Sequence, residues 1–301
     1  MDILDRPTAD DVADVIALVD VGTAADGLAA LGEQTLLDLR HGDAGKAAHL
    51  LIRDADTGLA GFAVVGLSNP ATATMELVVH PMRRRRGLGD ALVSTAVRIA
   101  REHGATELHA WAHGDHPSAL ALADRYGFTR PRVLWQMRRS LTDAEPEVET
   151  PEQVRIRAFV PGRDEQRLLD VNNAAFADHP EQGVWTLRDV AVREREPWFD
   201  PAGLLLAERV EDGELLGFHW TKVHGHGDSA IGEIYVLGVA PAAQGLKLGG
   251  VLTMAGLHHL RDRGLSKVML YVDESNTRAV QLYTRSGFRR WTTDVEYALG
   301  L

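Results

Sequence analysis

Met75-Glu-Leu-Val-Val-His-Pro-Met-Arg-Arg-Arg-Arg-Gly-Leu-Gly89 is an apolar run, a proline turn, a cluster of arginines and two glycines that open a long amphipathic segment. The same order returns in Tyr235-Val-Leu-Gly-Val-Ala-Pro-Ala-Ala-Gln-Gly-Leu-Lys-Leu-Gly249. Shifted by 160 positions, Val79 falls on Val239, Pro81 on Pro241, Gly89 on Gly249, Gly104 on Gly264 and Gly127-Phe128 on Gly287-Phe288. The match runs without a gap over about 55 residues, and the apolar periodicity agrees along with the glycines, which marks an internal duplication.

Working outward, each copy predicts the same elements. A strand (75–79; 234–239) leads through the turn into a helix, whose first copy carries Leu88, Leu92, Thr95 and Ile99 on one face. A short strand (107–110; 267–272) and a second helix (117–126; 276–286) follow, the latter stopped by Gly127 or Gly287. Upstream of each, a helical stretch precedes two strands (49–53 and 61–66; 203–210 and 215–223). Strands first, then strand–helix–strand–helix, predicts an α/β fold of the α+β type, with a mixed and largely antiparallel sheet flanked by helices in each copy. Residues 142–152 hold five acids and two prolines and almost nothing apolar, as an exposed linker does. The expected division is therefore 1–141, a linker at 142–153, and 154–301.

With 45% apolar and 25% charged residues, the 301-residue chain has the balance of a globular protein with room for two cores. No apolar run approaches the ~18–20 residues of a membrane span, and the acidic start Met1-Asp2-Ile3-Leu4-Asp5 lacks the order of a signal peptide. A cytoplasmic monomer, away from membranes, is expected. Net charge of −11 argues against a nucleic-acid surface. With no cysteine, thiolate nucleophiles and cysteine zinc sites are excluded. His224, His226, His258 and His259 have no further ligand at metal spacing, so no metal is expected. No Gly-x-Ser-x-Gly elbow suggests a serine hydrolase.

Within this acidic chain, the basic run Arg83–Arg86 stands between a strand and a helix start. Free backbone N–H groups and the helix dipole suit a pyrophosphate there, glycine allows close approach, and arginine adds charge. It is no Walker A loop, since no Gly-Lys-Ser/Thr follows. Nor is it a dinucleotide fingerprint, since Leu92 stands at the third glycine. A solvated basic loop is the bland alternative.

Arg/Gln-x-x-Gly-x-Gly/Ala at a helix start, then strand, Asn, helix, Leu-Tyr and Gly-Phe, resembles the GNAT acetyltransferase superfamily. Arg84, Gly87 and Gly89 fit in the first copy; in the second Gln244 and Gly249 fit, but Lys247 replaces the middle glycine. The resemblance implies acetyl-CoA as acetyl donor, possibly two molecules per chain. They would be held by Val78, Val79, His80, Arg86, Gly87, Leu88, Gly89, Asp90 and Ala91 in the first copy. In the second the corresponding set is Leu237, Gly238, Val239, Gln244, Gly245, Leu246, Lys247, Leu248, Gly249 and Gly250, with Asn276 and Arg278. It further implies that the backbone at Leu237-Gly238-Val239, with Gly238 suited to a bulge, receives the acetyl group. Glu233 would then be the general base and Tyr283 the acid that protonates the departing sulfur. The alternatives are a surface glutamate and a core tyrosine. By sequence offset Glu233, Tyr283 and Asn276 fall on Ala73, Ala123 and His116, so the second copy is expected to do the chemistry while the first binds ligand without turnover.

The whole chain also resembles a tandem branch of this superfamily that acetylates the cysteinyl amine of cysteinyl-glucosaminyl-inositol. The stretches that carry the likeness are 175–183, 233–241 and 270–280, with Gly32-Glu33-Gln34 in the first half. That resemblance implies that Glu33, Glu181, Lys222, Glu233 and Tyr271 line the pocket for the small amine. Another amine (an aminoglycoside, a polyamine or a protein N-terminus) and a non-catalytic acyl-CoA sensor remain open.

Overall fold

The apolar runs of the duplication are strands β4 (Thr72–Val79) and β10 (Ile231–Val239) of a computed structural model that describes residues 1–41, 45–141, 146–177, 182–243 and 245–301. The chain forms two compact units, residues 1–134 with 292–301 and residues 135–291.

In unit 1, β1 (Asp2–Leu4), β2 (Ala47–Asp54), β3 (Gly58–Gly66) and β4 pair antiparallel in sequence order. β5 (Glu107–Ala112) runs parallel to β4, and the end of β12 (Arg289–Gly300) closes the unit antiparallel to β5. Helix α3 (Leu88–His103) buries Leu92, Val93, Ala96, Val97 and Ala100 in the core over β2–β4. Of the predicted face only Leu92 is fully buried, because small alanines let the helix turn that stripe inward. Helices α1 (Ala9–Asp26) and α2 (Glu33–His41) enclose a second core with Leu51, Phe62 and Val78, and α4 (Pro117–Tyr126) precedes β6 (Thr129–Ser140).

Unit 2 repeats the plan. β7 (Val154–Ala158), β8 (Leu204–Arg209), β9 (Leu215–His224) and β10 are antiparallel, β11 (Lys267–Asp273) is parallel to β10, and β6 lies beside β11. Helix α7 (Leu248–Asp262) covers one face with Leu257 and Leu260 against Ile234, Val268 and Leu270. Helices α5 (Glu165–Ala175) and α6 (Leu187–Glu194) serve the core around Phe218 and Trp220, and α8 (Thr277–Arg285) precedes β12.

The compact units thus differ from contiguous spans 1–141 and 154–301. Residues 292–301 add the last strand to unit 1, while Trp135–Ser140 supply the strand beside β11 in unit 2. Sequence proximity places neither segment, because the hydrogen-bonding edge of the neighbouring strand does.

Both parallel pairs are short. β4 matches β5 only over Thr72–Met75, and β10 matches β11 only over Gly232–Ile234. Beyond those points each strand keeps its antiparallel partner (β3 to Val79, β9 to Val239) while its other edge has no strand partner among the described residues. A wedge opens there in each unit.

Candidate functional site

In unit 1 the turn after β4 carries the glycine motif. Gly87 is the N-cap of α3 with φ +81°, the left-handed region that favours glycine, and an added Cβ would meet open space. The arginine run divides by partner. Arg83 pairs with Asp54 and Asp56 at 2.7 and 2.6 Å, which holds the Asp54 carboxyl down at about 2, and Arg84 forms a two-pronged pair with Asp26 at 2.7 Å. Arg85 and Arg86 are exposed, and of the two only Arg85 lines the cavity beside the turn. A cavity of about 490 Å³ runs from this turn along the wedge, lined by Val78, Val79, Gly87, Leu88, Gly89 and Asp90 of the expected set. His80, Arg86 and Ala91 are not among its walls; His80 instead accepts from the Met82 N–H.

In unit 2 the N-cap of α7 is Lys247, with φ +56°, in the place of Gly87. The open space beside Gly87 shows why a side chain is tolerated there, at the cost of backbone strain. Gly89 and Gly249 have one job in both units: a Cβ would meet Leu122 at 3.2 Å or Leu282 at 3.3 Å, leucines of the following helix. Leu248 is buried under the turn, and Gly245 has φ +99°. Gln244 lies outside the described residues. Asn276 caps α8 by accepting from the Ala279 N–H, as His116 caps α4 by accepting from Ser118. That pair therefore shares a capping role, and only the other two polar positions lose their counterpart. Arg278 is exposed.

Strand register refines the comparison of the copies. The β9–β10 pairing shifts between Ile234 and Val236, so the bulge is at Tyr235; Gly238 pairs regularly with Phe218. Glycine at 238 answers to packing instead, since a Cβ would stand 2.7 Å from the Phe218 ring. The extra residue moves the alignment by one. Glu233 pairs with Met269 as Thr74 pairs with His109, so Thr74 is its counterpart in unit 1, in place of Ala73.

Glu233 stands opposite Lys222 on β9, and Tyr271 follows Met269 by two on β11, so the three side chains share the sheet face away from α7. Glu233 and Lys222 are buried, at 6% and 7% exposure, while Tyr271 is 42% exposed. Lys222 Nζ lies over the rings of Trp198 at 4.5 Å and Tyr235 at 5.2 Å. The Tyr271 hydroxyl accepts from Gln136 Nε2 at 2.6 Å, and Arg138 donates to the same amide. Glu233 Oε2 lies 2.6 Å from His224 Nε2. Counted by register, unit 1 has Gly66, Thr74 and Trp111 where unit 2 has Lys222, Glu233 and Tyr271.

Tyr283 is buried on α8, edge-on to Phe288 at 5.9 Å, and burial pushes its phenol up to about 12. Glu33 is the first residue of α2 in unit 1, beside Gly32, whose N–H donates to Glu76. Glu181 lies outside the described residues. His224, Gln136 and Trp198 were not foreseen; the histidine stood in view as one of a candidate metal pair, but pairing across two strands is invisible in sequence. Among the described residues no three His, Asp or Glu side chains form a metal-binding group, and no helix is long and apolar enough to cross a membrane.

The acetyltransferase (GNAT) family matches residues 26–128 and 167–288. The mycothiol acetyltransferase of Stackebrandtia nassauensis is 63% identical over 299 residues, covering 99% of this chain and 98% of that protein. That of Thermobispora bispora is 54% identical over 295 residues, 97% of each. Among solved structures, a tandem GNAT protein from the clavulanic acid biosynthesis pathway superposes with TM-score 0.75 at 20% identity, covering 99% of this chain and 98% of that one. A GCN5-related N-acetyltransferase from Sphaerobacter thermophilus gives 0.72 at 26% identity, covering 98% and 94%.

Proposed function

The chain belongs to the GNAT acetyltransferase family, and from that premise we propose that it transfers acetyl from acetyl-CoA to the cysteinyl amine of cysteinyl-glucosaminyl-inositol, forming mycothiol. The observation that carries the assignment of chemistry to unit 2 is the shared face of Lys222, Glu233 and Tyr271 beside the wedge, against Gly66, Thr74 and Trp111 in unit 1. Unit 1 is the binding half, with its cavity and glycine turn but no carboxylate or tyrosine at the matching positions.

Each wedge offers the donor a strand edge and a helix start. Leu237, Gly238 and Val239 have one edge without a strand partner, where backbone N–H groups are free to meet a thioester carbonyl, and the start of α7 faces the phosphates. Glu233 takes the proton of the substrate ammonium. A buried carboxylate facing Lys222 binds the cationic amine and sets it for attack, with no covalent enzyme intermediate. Tyr283, neutral throughout the physiological range, donates its phenolic hydrogen to the departing sulfur.

The deciding assay offers cysteinyl-glucosaminyl-inositol beside aminoglycosides, polyamines and peptide N-termini, following CoA release. Acetylation of the first is expected. Turnover of another amine alone would replace the substrate, and binding of acetyl-CoA without turnover of any would leave a sensor. Gly89→Glu, which drives a carboxylate into Leu122, is expected to remove one calorimetric binding site of two and leave kcat near wild type.

A further inference from the structure

A carboxylate that takes a proton at each turnover must also lose it, and the Glu233 side chain is only 8% exposed. Its neighbours on the same face offer little help. Lys222 is already a cation and has no lone pair to accept with, and the Tyr271 hydroxyl is engaged by Gln136. The remaining contact is His224, whose Nε2 lies 2.6 Å from Oε2 and whose side chain is 36% exposed. It ends β9, and the exposed Gly225, His226 and Gly227 follow it. Its Nδ1 has no hydrogen-bond partner among the described residues. Imidazole is the one side chain here that accepts and donates a proton with comparable ease near neutral pH.

We propose that His224 is the proton outlet of the unit 2 site, a positioning and relay residue that acts through Glu233. The inference rests on the reading of unit 2 as the acetyl-transfer site. The proton leaves the substrate ammonium for a Glu233 oxygen; the carboxyl O–H then donates to Nε2 of the tautomer that carries its hydrogen on Nδ1, the proton crosses to Nε2 as the Nδ1 hydrogen departs to water, and the pair ends with Nε2–H donating to the restored carboxylate. Exchange with water restores the tautomer before the next substrate binds. The bond made is amine nitrogen to acetyl carbon, the bond broken is carbon to sulfur, and the relay carries only the proton. By strand register unit 1 has Thr74 in the place of Glu233, and two residues past Gly66, which answers to Lys222, its sequence has Ser68 where unit 2 has His224.

The test compares wild type with His224→Ala and His224→Gln in the whole protein, with whichever amine wild type acetylates. Glutamine keeps a donor for the carboxylate and a similar length but cannot pass a proton. Both variants are expected to lose about 10²-fold in kcat, the lower end of general acid–base contributions, with KM for both substrates within about twofold. Added imidazole should restore much of the rate to His224→Ala. Failure of wild type to acetylate any amine would sink the acetyl-transfer reading itself. Wild-type kcat in either variant, a full rate in His224→Gln that shows orientation alone to suffice, or no response to imidazole would each overturn the relay.

Discussion

At Tyr283, burial changes the sense of the expected acid. An ordinary phenol near 10 facing a thiolate near 8.5 is uphill by about 2 kcal/mol, but the Tyr283 phenol is pushed up to about 12. For the proposed transfer from Tyr283, a thiolate held in equally dry surroundings would be a stronger base than in water, which would narrow the gap. Tyr283→Phe is expected to lower kcat by about 10²-fold with acetyl-CoA affinity unchanged by calorimetry; an unchanged rate would remove it from the mechanism. Lys247, in the left-handed region, carries strain of about 1 kcal/mol that glycine would not. Lys247→Gly should therefore raise the melting temperature by a few degrees while weakening acetyl-CoA several-fold through loss of the cation. Tighter binding would mean that the side chain obstructs. His219, fully buried on β9 with Nδ1 donating to the Leu252 carbonyl, is held down to about 4. Its lowered value means that the unfolded chain binds the proton first as pH falls through 6.5. Stability is then full above pH 6.5 and falls on approach to pH 4, by about 2 kcal/mol at pH 5. Urea unfolding should show a smaller loss in His219→Gln than in wild type between pH 7 and 5.

At the scale of elements, glycines record contacts that periodicity does not announce. Gly256 lies in mid-helix in α7, where helix propensity disfavours it, yet a Cβ there would stand 2.0 Å from the His219 ring. The strand–helix cores also trade one aromatic between positions. In unit 2, Tyr283 of α8 packs in a cluster with Met137 of β6; in unit 1, Ala123 of α4 packs with Tyr297 of β12. The ring is retained in each core but comes from the helix in one copy and the strand in the other. A tyrosine at Ala123 would overfill the space beside Tyr297, so one substitution does not give unit 1 the proposed acid of unit 2. The ion cluster of Asp164 and Glu208 with Arg155, Arg157 and Arg167 ties β7, β8 and α5 together, and Arg157 holds Glu208 down at about 2.

For the whole molecule, the last ten residues belong to a unit that their sequence neighbours do not. They give unit 1 the buried Val295 and Tyr297, a carboxylate for His113 at 2.8 Å from Asp294, and one for His109 at 2.6 Å from Glu296. Deleting 292–301 is expected to destabilise unit 1 by at least about 4 kcal/mol, from the two buried side chains alone. Hydrogen exchange should show β5 losing protection. Protection of β5 at the wild-type level would mean that unit 1 closes without the strand.

The duplication, the strand–turn–helix glycine motif and the family were legible in the chain, because each is a local pattern whose spacing is fixed by strand or helix geometry; the same patterns supplied Glu233 and Tyr283 as the candidates proposed for the chemistry. The place of the bulge at Tyr235, the counterpart of Glu233 at Thr74, the contact of His224 with Glu233 and the strand lent to unit 1 by residues 292–301 were decided only by tertiary structure. All four depend on which backbone edges meet and in what register. A one-residue insertion moves every side chain after it across the sheet without leaving a mark in composition or periodicity.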